Sequence, residues 1–292
     1  MMPTKVKESL LLGSIFLVLA FLANTIQSVF GKFLEAQLSV EMFTWVTFVS
    51  ALVILIPIVA ARGFKDLKTE AIKTHLLRGG TGIAGFLLFI AAAQLTSLVN
   101  ANVLLNTTPI FIPIIALIFL KTRINKQLWI AIGLGFAGMV IIVKPDATIL
   151  TNPGNIIGLA AGFVTAIEFL AVKKLDETDS PITQMIYFLL IGSLISTILV
   201  AGKLQPINHE QGLIMLATGG CLVCFQFLLI KAYTYAKPHE IGAFQYSSVV
   251  FAALLGWIIF KEQLDLGTII GTLLVCAGGI ISISKLTEEK NS

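Results

Sequence analysis

The chain contains itself twice. Sliding the second half back by about 140 residues sets Gly79-Gly80 on Gly219-Gly220, Ala92 on Ala232, Thr107-Thr108 on Ser247-Ser248, Phe111 on Phe251, Lys121 on Lys261 and Ala137-Gly138 on Ala277-Gly278. A shift of about 142 aligns the earlier part, Phe21 with Phe163 and Lys32 with Lys174. Each copy holds five apolar stretches. If each crosses a bilayer, the second copy enters the opposite way up from the first. An inverted repeat presents equivalent surfaces to the two sides of a membrane, which suits a site that opens to each in turn.

Composition supports the membrane reading. Hydrophobic residues make up 57% of the chain and charged residues 12%, with a mean hydropathy of +0.93, whereas a soluble domain is about a quarter charged. The net charge of +4 resides in short loops between apolar stretches, without the aromatic and basic interleaving of a nucleic-acid surface, so nucleic acid is not expected as a partner. Cys221, Cys224 and Cys276 all fall in apolar stretches and give no disulfide framework. Although Cys221-x-x-Cys224 matches a redox motif as a string, its place in mid-span reads as small core residues.

About 20 mostly apolar residues cross the hydrocarbon core. Ten segments qualify: 10–30, 42–61, 76–95, 99–120, 128–143, 156–172, 182–201, 213–230, 241–260 and 266–284. The expected fold is therefore an all-α integral membrane protein of ten transmembrane helices, arranged as two inverted five-helix repeats. Residues 1–145 form the first repeat, 146–154 the linker with Asn152 and Pro153, and 155–292 the second. The apolar opening reads as a first span rather than a cleaved signal, because the run is long and no small-residue cleavage site follows.

Lys and Arg set the orientation. With the N-terminus inside, sixteen of the twenty lie on inner segments, including Lys5, Lys7, Arg62, Lys65, Lys68, Lys73, Arg78, Arg123, Lys285 and Lys290. The outer segments hold Lys32, Lys144, Lys203 and Lys261. Both termini are expected in the cytoplasm of a bacterial inner membrane.

Polar side chains inside spans are costly toward lipid and should turn inward. Asn24 and Gln27 share a face of the first span. Asn102, Asn106, Pro109 and Pro113 form one stripe of the fourth. The ninth span offers Gln245 and Tyr246, the sixth Glu168 and the eighth Gln226. These residues are the candidates for substrate binding, with Asn106 and Tyr246, as repeat partners, expected to touch substrate together. Any one amide can equally be an interhelical hydrogen bond. Glu168 is the one acidic residue in a span core and the candidate for proton coupling; the structural alternative is an ion pair with Lys231. The fifth and tenth spans are nearly free of polar groups and are expected at the periphery. Gly158-x-x-x-Gly162 reads as close helix packing. His75, His209 and His239 are expected in scattered loops, too far apart for a metal site.

Together these features resemble the EamA-type branch of the drug/metabolite transporter superfamily. The resemblance rests on ten spans in two copies, the turn at 260–264 reading Phe-Lys-Glu-Gln-Leu, and Ala277-Gly278 in the last span. The first half has Thr122 where the second has Glu262, but keeps Lys121, Gly133, Gly135 and Gly138. The resemblance implies an alternating-access carrier of small organic solutes, with spans one, three, four, six, eight and nine around the cavity. Substrates in that family include amino acids, nucleotide-related metabolites, amphiphilic drugs and S-adenosylmethionine.

With no Arg expected inside a span, strongly anionic substrates are disfavoured. A neutral, zwitterionic or cationic metabolite, such as an amino acid or an S-adenosylmethionine-like compound, fits better. A passive channel or facilitator stays open as an alternative, as does a membrane-embedded enzyme or assembly factor. The spans show neither a catalytic constellation nor a channel filter. No cofactor is expected, and a homodimer is compatible with such a chain.

Overall fold

The computed structural model describes residues 8–34, 38–63, 67–96, 98–119, 121–122, 124–261, 263 and 265–291. Lys5, Lys7, Lys65 and Arg123 of the charge count, and Glu262 and Leu264 of the turn motif, lie outside the described residues. Among the described residues twelve α-helices run in chain order: α1 (Leu10–Leu34), α2 (Val40–Arg62), α3 (Ile72–Leu95), α4 (Leu98–Leu105), α5 (Thr108–Phe119), α6 (Lys126–Val143), α7 (Asn155–Leu175), α8 (Pro181–Val200), α9 (His209–Tyr235), α10 (Pro238–Ile241), α11 (Ser247–Phe260) and α12 (Leu266–Asn291). They supply ten segments long and apolar enough to cross a membrane. The fourth is α4 and α5 in series, and the ninth is α10, a 3-10 turn over Gly242–Tyr246, and α11.

Side-chain caps fix where the helices begin. Ser39 accepts from Met42 N ahead of α2, Asn125 from Gln127 N ahead of α6, and Ser180 from Thr183 N ahead of α8, with Pro181 in the first turn. Asn208 and Gln211 form a reciprocal capping box at α9. Each satisfies backbone donors that the first turn of a helix leaves unpaired.

The packing repeats with the sequence. α1 lies along α9 as α7 lies along α3; α2 meets α8, and α6 meets α12, across the axis between the halves. Individual contacts obey the same symmetry. A Cβ on Gly138 would stand 2.5 Å from the carbonyl oxygen of Gly271, and one on Gly278 2.6 Å from that of Ala131, the repeat partner of Gly271. Likewise Gly79 packs on Ile191, while Gly219 packs on Ser50 and Ala51. Small residues let these backbones approach where the repeats cross.

Lys121 and Lys261, repeat partners just past α5 and α11, both take left-handed backbone conformations, at φ 52° and 58°. Such conformations cost a β-carbon residue about 1 kcal/mol or more. Both copies retain the same strained turn.

Loop contacts sort into two sides. The backbone N–H of Ser9 donates to Tyr235 O, Thr69 Oγ1 to Asp179, and Tyr187 Oη to Leu67 O. These join the start of α1, the end of α9, and the α2–α3 and α7–α8 connections on the side of the chain termini. On the opposite side Lys144 pairs with Asp265 and Lys203 with Glu41, and Asn152 Nδ2 donates to Leu95 O at 2.8 Å.

Candidate functional site

α3 begins several residues earlier than hydropathy alone predicts, because Ile72–Arg78 already turn as helix. Arg78, already within the 76–95 segment but counted there with the inner loop, thus lies six residues into the helix at 0% exposure, which overturns the expectation that no Arg lies within a span. His75, Arg78, Gly79 and Gly85 are among its buried residues. They recur at helical spacing and make one face of small and polar residues.

Arg78 ties the two repeats together. Its Nη1 donates to Gln184 O on α8 at 3.0 Å, and its Nη2 to Gln226 Oε1 on α9 at 2.6 Å. Its guanidinium sits 4.9 Å from the centre of the Phe188 ring. A buried charge in a span is costly unless polar groups and opposite charge surround it. Here the opposite charge is Glu168, buried on α7 and within electrostatic reach, with no direct ion pair joining the two. The Glu168 carboxylate lies against the α3 backbone: a Cβ on Gly82 would be 3.2 Å from its Cδ and 3.3 Å from Oε2.

The structural alternative, an ion pair of Glu168 with Lys231, is not found among the described residues. Lys231 lies over the Phe227 ring at 5.8 Å. α7 also continues to Leu175, seven residues past Glu168, which sets the carboxylate about 10 Å from the helix end.

Tyr233 of α9 completes the cluster. It is fully buried and within electrostatic reach of Glu168. Gln245 approaches it from the 3-10 turn, yet neither Tyr233 Oη nor Gln245 Nε2 makes a hydrogen bond of ordinary geometry. Thus Glu168, Gln226 and Gln245, named from the sequence, converge with Arg78 and Tyr233, which were not. The signal for Arg78 was its position between Leu76-Leu77 and Gly79-Gly80. For Tyr233 there was none beyond an aromatic residue near a helix end.

The remaining candidates lie elsewhere. Asn106 ends α4, where its Nδ2 donates to Asn102 O at 2.8 Å. Thr107 Oγ1 caps Leu104 O, and Thr108 Oγ1 bridges Leu105 O and Gly162 O of α7. Gly158 and Gly162 give α7 its close approach to this break, the first against Leu104 and the second against Thr107. The repeat partners Ser247 and Ser248 cap Phe244 O and Gln245 O at the matching break. Both spans therefore interrupt at the same repeat position, with hydroxyls satisfying the freed carbonyls. Tyr246 packs at 0% exposure on Gly135 in an apolar cluster with Val103, Met139, Val249 and Val275. Asn24 and Gln27 are half-buried on α1, whose Thr25 also reaches Ser248 O.

Below the cluster the termini side is closed by a second polar layer. His75 Nε2 lies 3.6 Å from Asp179 Oδ2 and its ring stacks on Tyr187, centroids 4.4 Å apart. Lys173 Nζ donates to Tyr233 O at 2.6 Å, and Thr234 Oγ1 to Asp176. Desolvation holds the Asp176 carboxyl above its ordinary pKa in spite of that hydrogen bond and the nearby lysines. His75 and His239 are buried in helices rather than set in loops. Among the described residues no three His, Cys, Asp or Glu gather as a metal site.

Comparison with known proteins agrees with this architecture. A solved crystal structure superposes with a TM-score of 0.82 over 96% of this chain and 99% of its own, at 15% identity, a likeness of fold. The riboflavin transporter of Vibrio cholerae is 27% identical over 260 residues, 87% of each chain. An S-adenosylmethionine uptake transporter of Rickettsia bellii is 26% identical over 90% of each. The pseudopaline exporter of Pseudomonas aeruginosa is 24% identical over 90% of this chain and 93% of its own. The EamA-like transporter family model matches residues 11–144 and again 152–284, so this duplicated, ten-span chain belongs to the EamA-like transporter family.

Proposed function

We propose that the chain is an alternating-access carrier of a small neutral, zwitterionic or cationic metabolite. It works in a bacterial inner membrane with both termini in the cytoplasm. Residues 1–145 and 155–292 act as the two repeats, joined by 146–154. The observation that carries the reading is the Arg78 cluster, where side chains of both repeats meet about 10 Å along α7 from its end on the termini side. A contact made between repeats at one side is what a carrier closed on that side requires, and it must open for the opposite state.

The proposed substrate charge rests on the same cluster. One guanidinium faces one carboxylate, so the buried charges nearly cancel. A phosphate ester, which needs several uncompensated cations, is poorly matched. The relatives are named for riboflavin, S-adenosylmethionine and pseudopaline, and an amino-acid-like or S-adenosylmethionine-like solute agrees with the cluster.

The test is reconstitution into liposomes with labelled solutes. Saturable uptake accelerated by unlabelled solute inside the vesicle supports a carrier. Flux that rises linearly with concentration and ignores internal solute assigns a passive facilitator instead.

A further inference from the structure

The side-chain chemistry around Arg78 identifies which part of a substrate it recognises. A guanidinium presents two parallel donors to a carboxylate along one edge, a geometry that Lys cannot reproduce. In this chain Nη1 is held by the Gln184 carbonyl, which fixes the plane of the group. The other edge, Nε with Nη2, meets only the single oxygen of the Gln226 amide, on Nη2, while Nε has no partner. Gln226 is a neutral occupant of a fork that fits a carboxylate better.

The opposite charge stands beside it without a ligand from the chain. Among the described residues no hydrogen bond reaches the Glu168 carboxylate, and no direct ion pair joins it to Arg78. Tyr233, within electrostatic reach of it, and Gln245 approach each other, both buried, but Tyr233 Oη and Gln245 Nε2 meet outside ordinary hydrogen-bond geometry. Unsatisfied polar atoms in a low-dielectric interior are costly, and a cluster of them demands an explanation. A solute carrying a single charge would satisfy one member of the pair and leave the other exposed. A solute carrying both would satisfy each.

We propose that the Nε–Nη2 edge of Arg78 receives a substrate carboxylate, displacing Gln226, while Glu168 faces the cationic group of the same molecule, so that the transported solutes are small zwitterions. Phe188, under the guanidinium, and Gly82, under the carboxylate, form the wall between the two charges. This assignment rests on the carrier reading and adds a substrate class to it.

The test uses the purified full chain in detergent and in liposomes. Its probes are the standard amino acids, glycine betaine and S-adenosylmethionine, scored by thermal stabilisation and counterflow. For each zwitterion that binds, a carboxylate-blocked ester and, where the cation is a primary amine, its N-acetyl derivative are compared. Each blocked form should bind about tenfold or more weakly, the scale of one lost charge-assisted bond. Arg78→Lys, which keeps the charge and loses the fork, should weaken zwitterion binding by a similar factor. The proposal is overturned if none of the zwitterions binds, or if the ester competes as well as its parent. It is equally overturned if a folded Arg78→Lys protein binds like the original. The blocked-ligand comparison needs no variant, so it is decisive even if Arg78 substitutions unfold. Exchange of a different solute, indifferent to Arg78, sinks this assignment and leaves the carrier intact. Non-saturable flux without exchange removes the carrier itself.

Discussion

Phe48 and Phe188 occupy the same position in the two repeats, and their rings meet each other, centroids 5.6 Å apart at 46°. The contact lies where α2 crosses α8, on the axis relating the halves. The surroundings differ: Phe188 carries the Arg78 guanidinium on its ring, whereas Phe48 presses on Gly192. Phe188→Ala should therefore cost more stability than Phe48→Ala, about 3–5 kcal/mol against a smaller loss. A double-mutant cycle should return a coupling of about 0.5–1.5 kcal/mol. Denaturant unfolding in mild detergent measures both, and a coupling of zero would mean that the ring contact contributes nothing.

Gly138 and Gly278 should be intolerant of any side chain, to a similar degree. The atoms a Cβ would meet are backbone carbonyl oxygens at 2.5 and 2.6 Å, which cannot swing aside. Gly138→Ala and Gly278→Ala should each lose about 1–3 kcal/mol. Gly133→Ala, with nothing within 4 Å, should be neutral or slightly stabilising, as helix propensity favours Ala. Equal melting temperatures for all three variants would contradict the crossing of α6 and α12.

The proposed orientation is open to direct labelling. With Cys221, Cys224 and Cys276 replaced, single cysteines at Lys68 and Lys285 should resist an impermeant thiol reagent in intact cells. Cysteines at Lys203 and Asp265 should react. The reverse pattern would place both termini outside.

Transport should require the termini side to come apart. Thr69 Oγ1 donates to Asp179 Oδ2 at 3.1 Å between the α2–α3 and α7–α8 connections. Bridging Thr69→Cys to Asp179→Cys with a short bifunctional thiol reagent should cut exchange at least about tenfold, since both states are needed for turnover. Undiminished exchange after complete cross-linking would show that this layer does not move.

Glu168→Gln keeps the shape of the side chain and removes its charge. If Glu168 meets the substrate cation, exchange and proton-driven accumulation should both fall about tenfold or more. Survival of exchange with loss of accumulation would instead assign Glu168 to proton coupling, and wild-type behaviour in both would reduce it to a structural charge.

The ten spans and their duplication were legible because each leaves a long-period signal, whereas the breaks in the fourth and ninth spans, read as continuous segments, were not. Thr107-Thr108 and Ser247-Ser248 align in sequence, and both break a span in space. The site was legible in part. Glu168, Gln226 and Gln245 stand out as polar groups in apolar runs. Arg78 escaped because, two residues into the 76–95 segment, its charge was counted with the inner loop, whereas α3 starts at Ile72 and sets it well inside the helix. Lys231 looked like the partner of Glu168 from depth along two helices, but depth carries no information about which helix faces which. Tyr246 shows the same limit: its repeat position is mid-span, yet its ring points into the apolar contact with Gly135.

The repeat partner of Arg78 is Thr218, buried on α9, which among the described residues bonds through its side chain to its own helix, Oγ1 to Ile214 O at 2.8 Å. The frame is thus duplicated while its charged fastening is not. Two shapes related by the pseudo-axis would be equally populated if the halves were identical. A difference of about 1.4 kcal/mol between them changes that ratio tenfold. On the proposed carrier reading, Arg78 would act as a ballast on one end of a balanced beam, setting which way the empty protein rests and which side meets solute first.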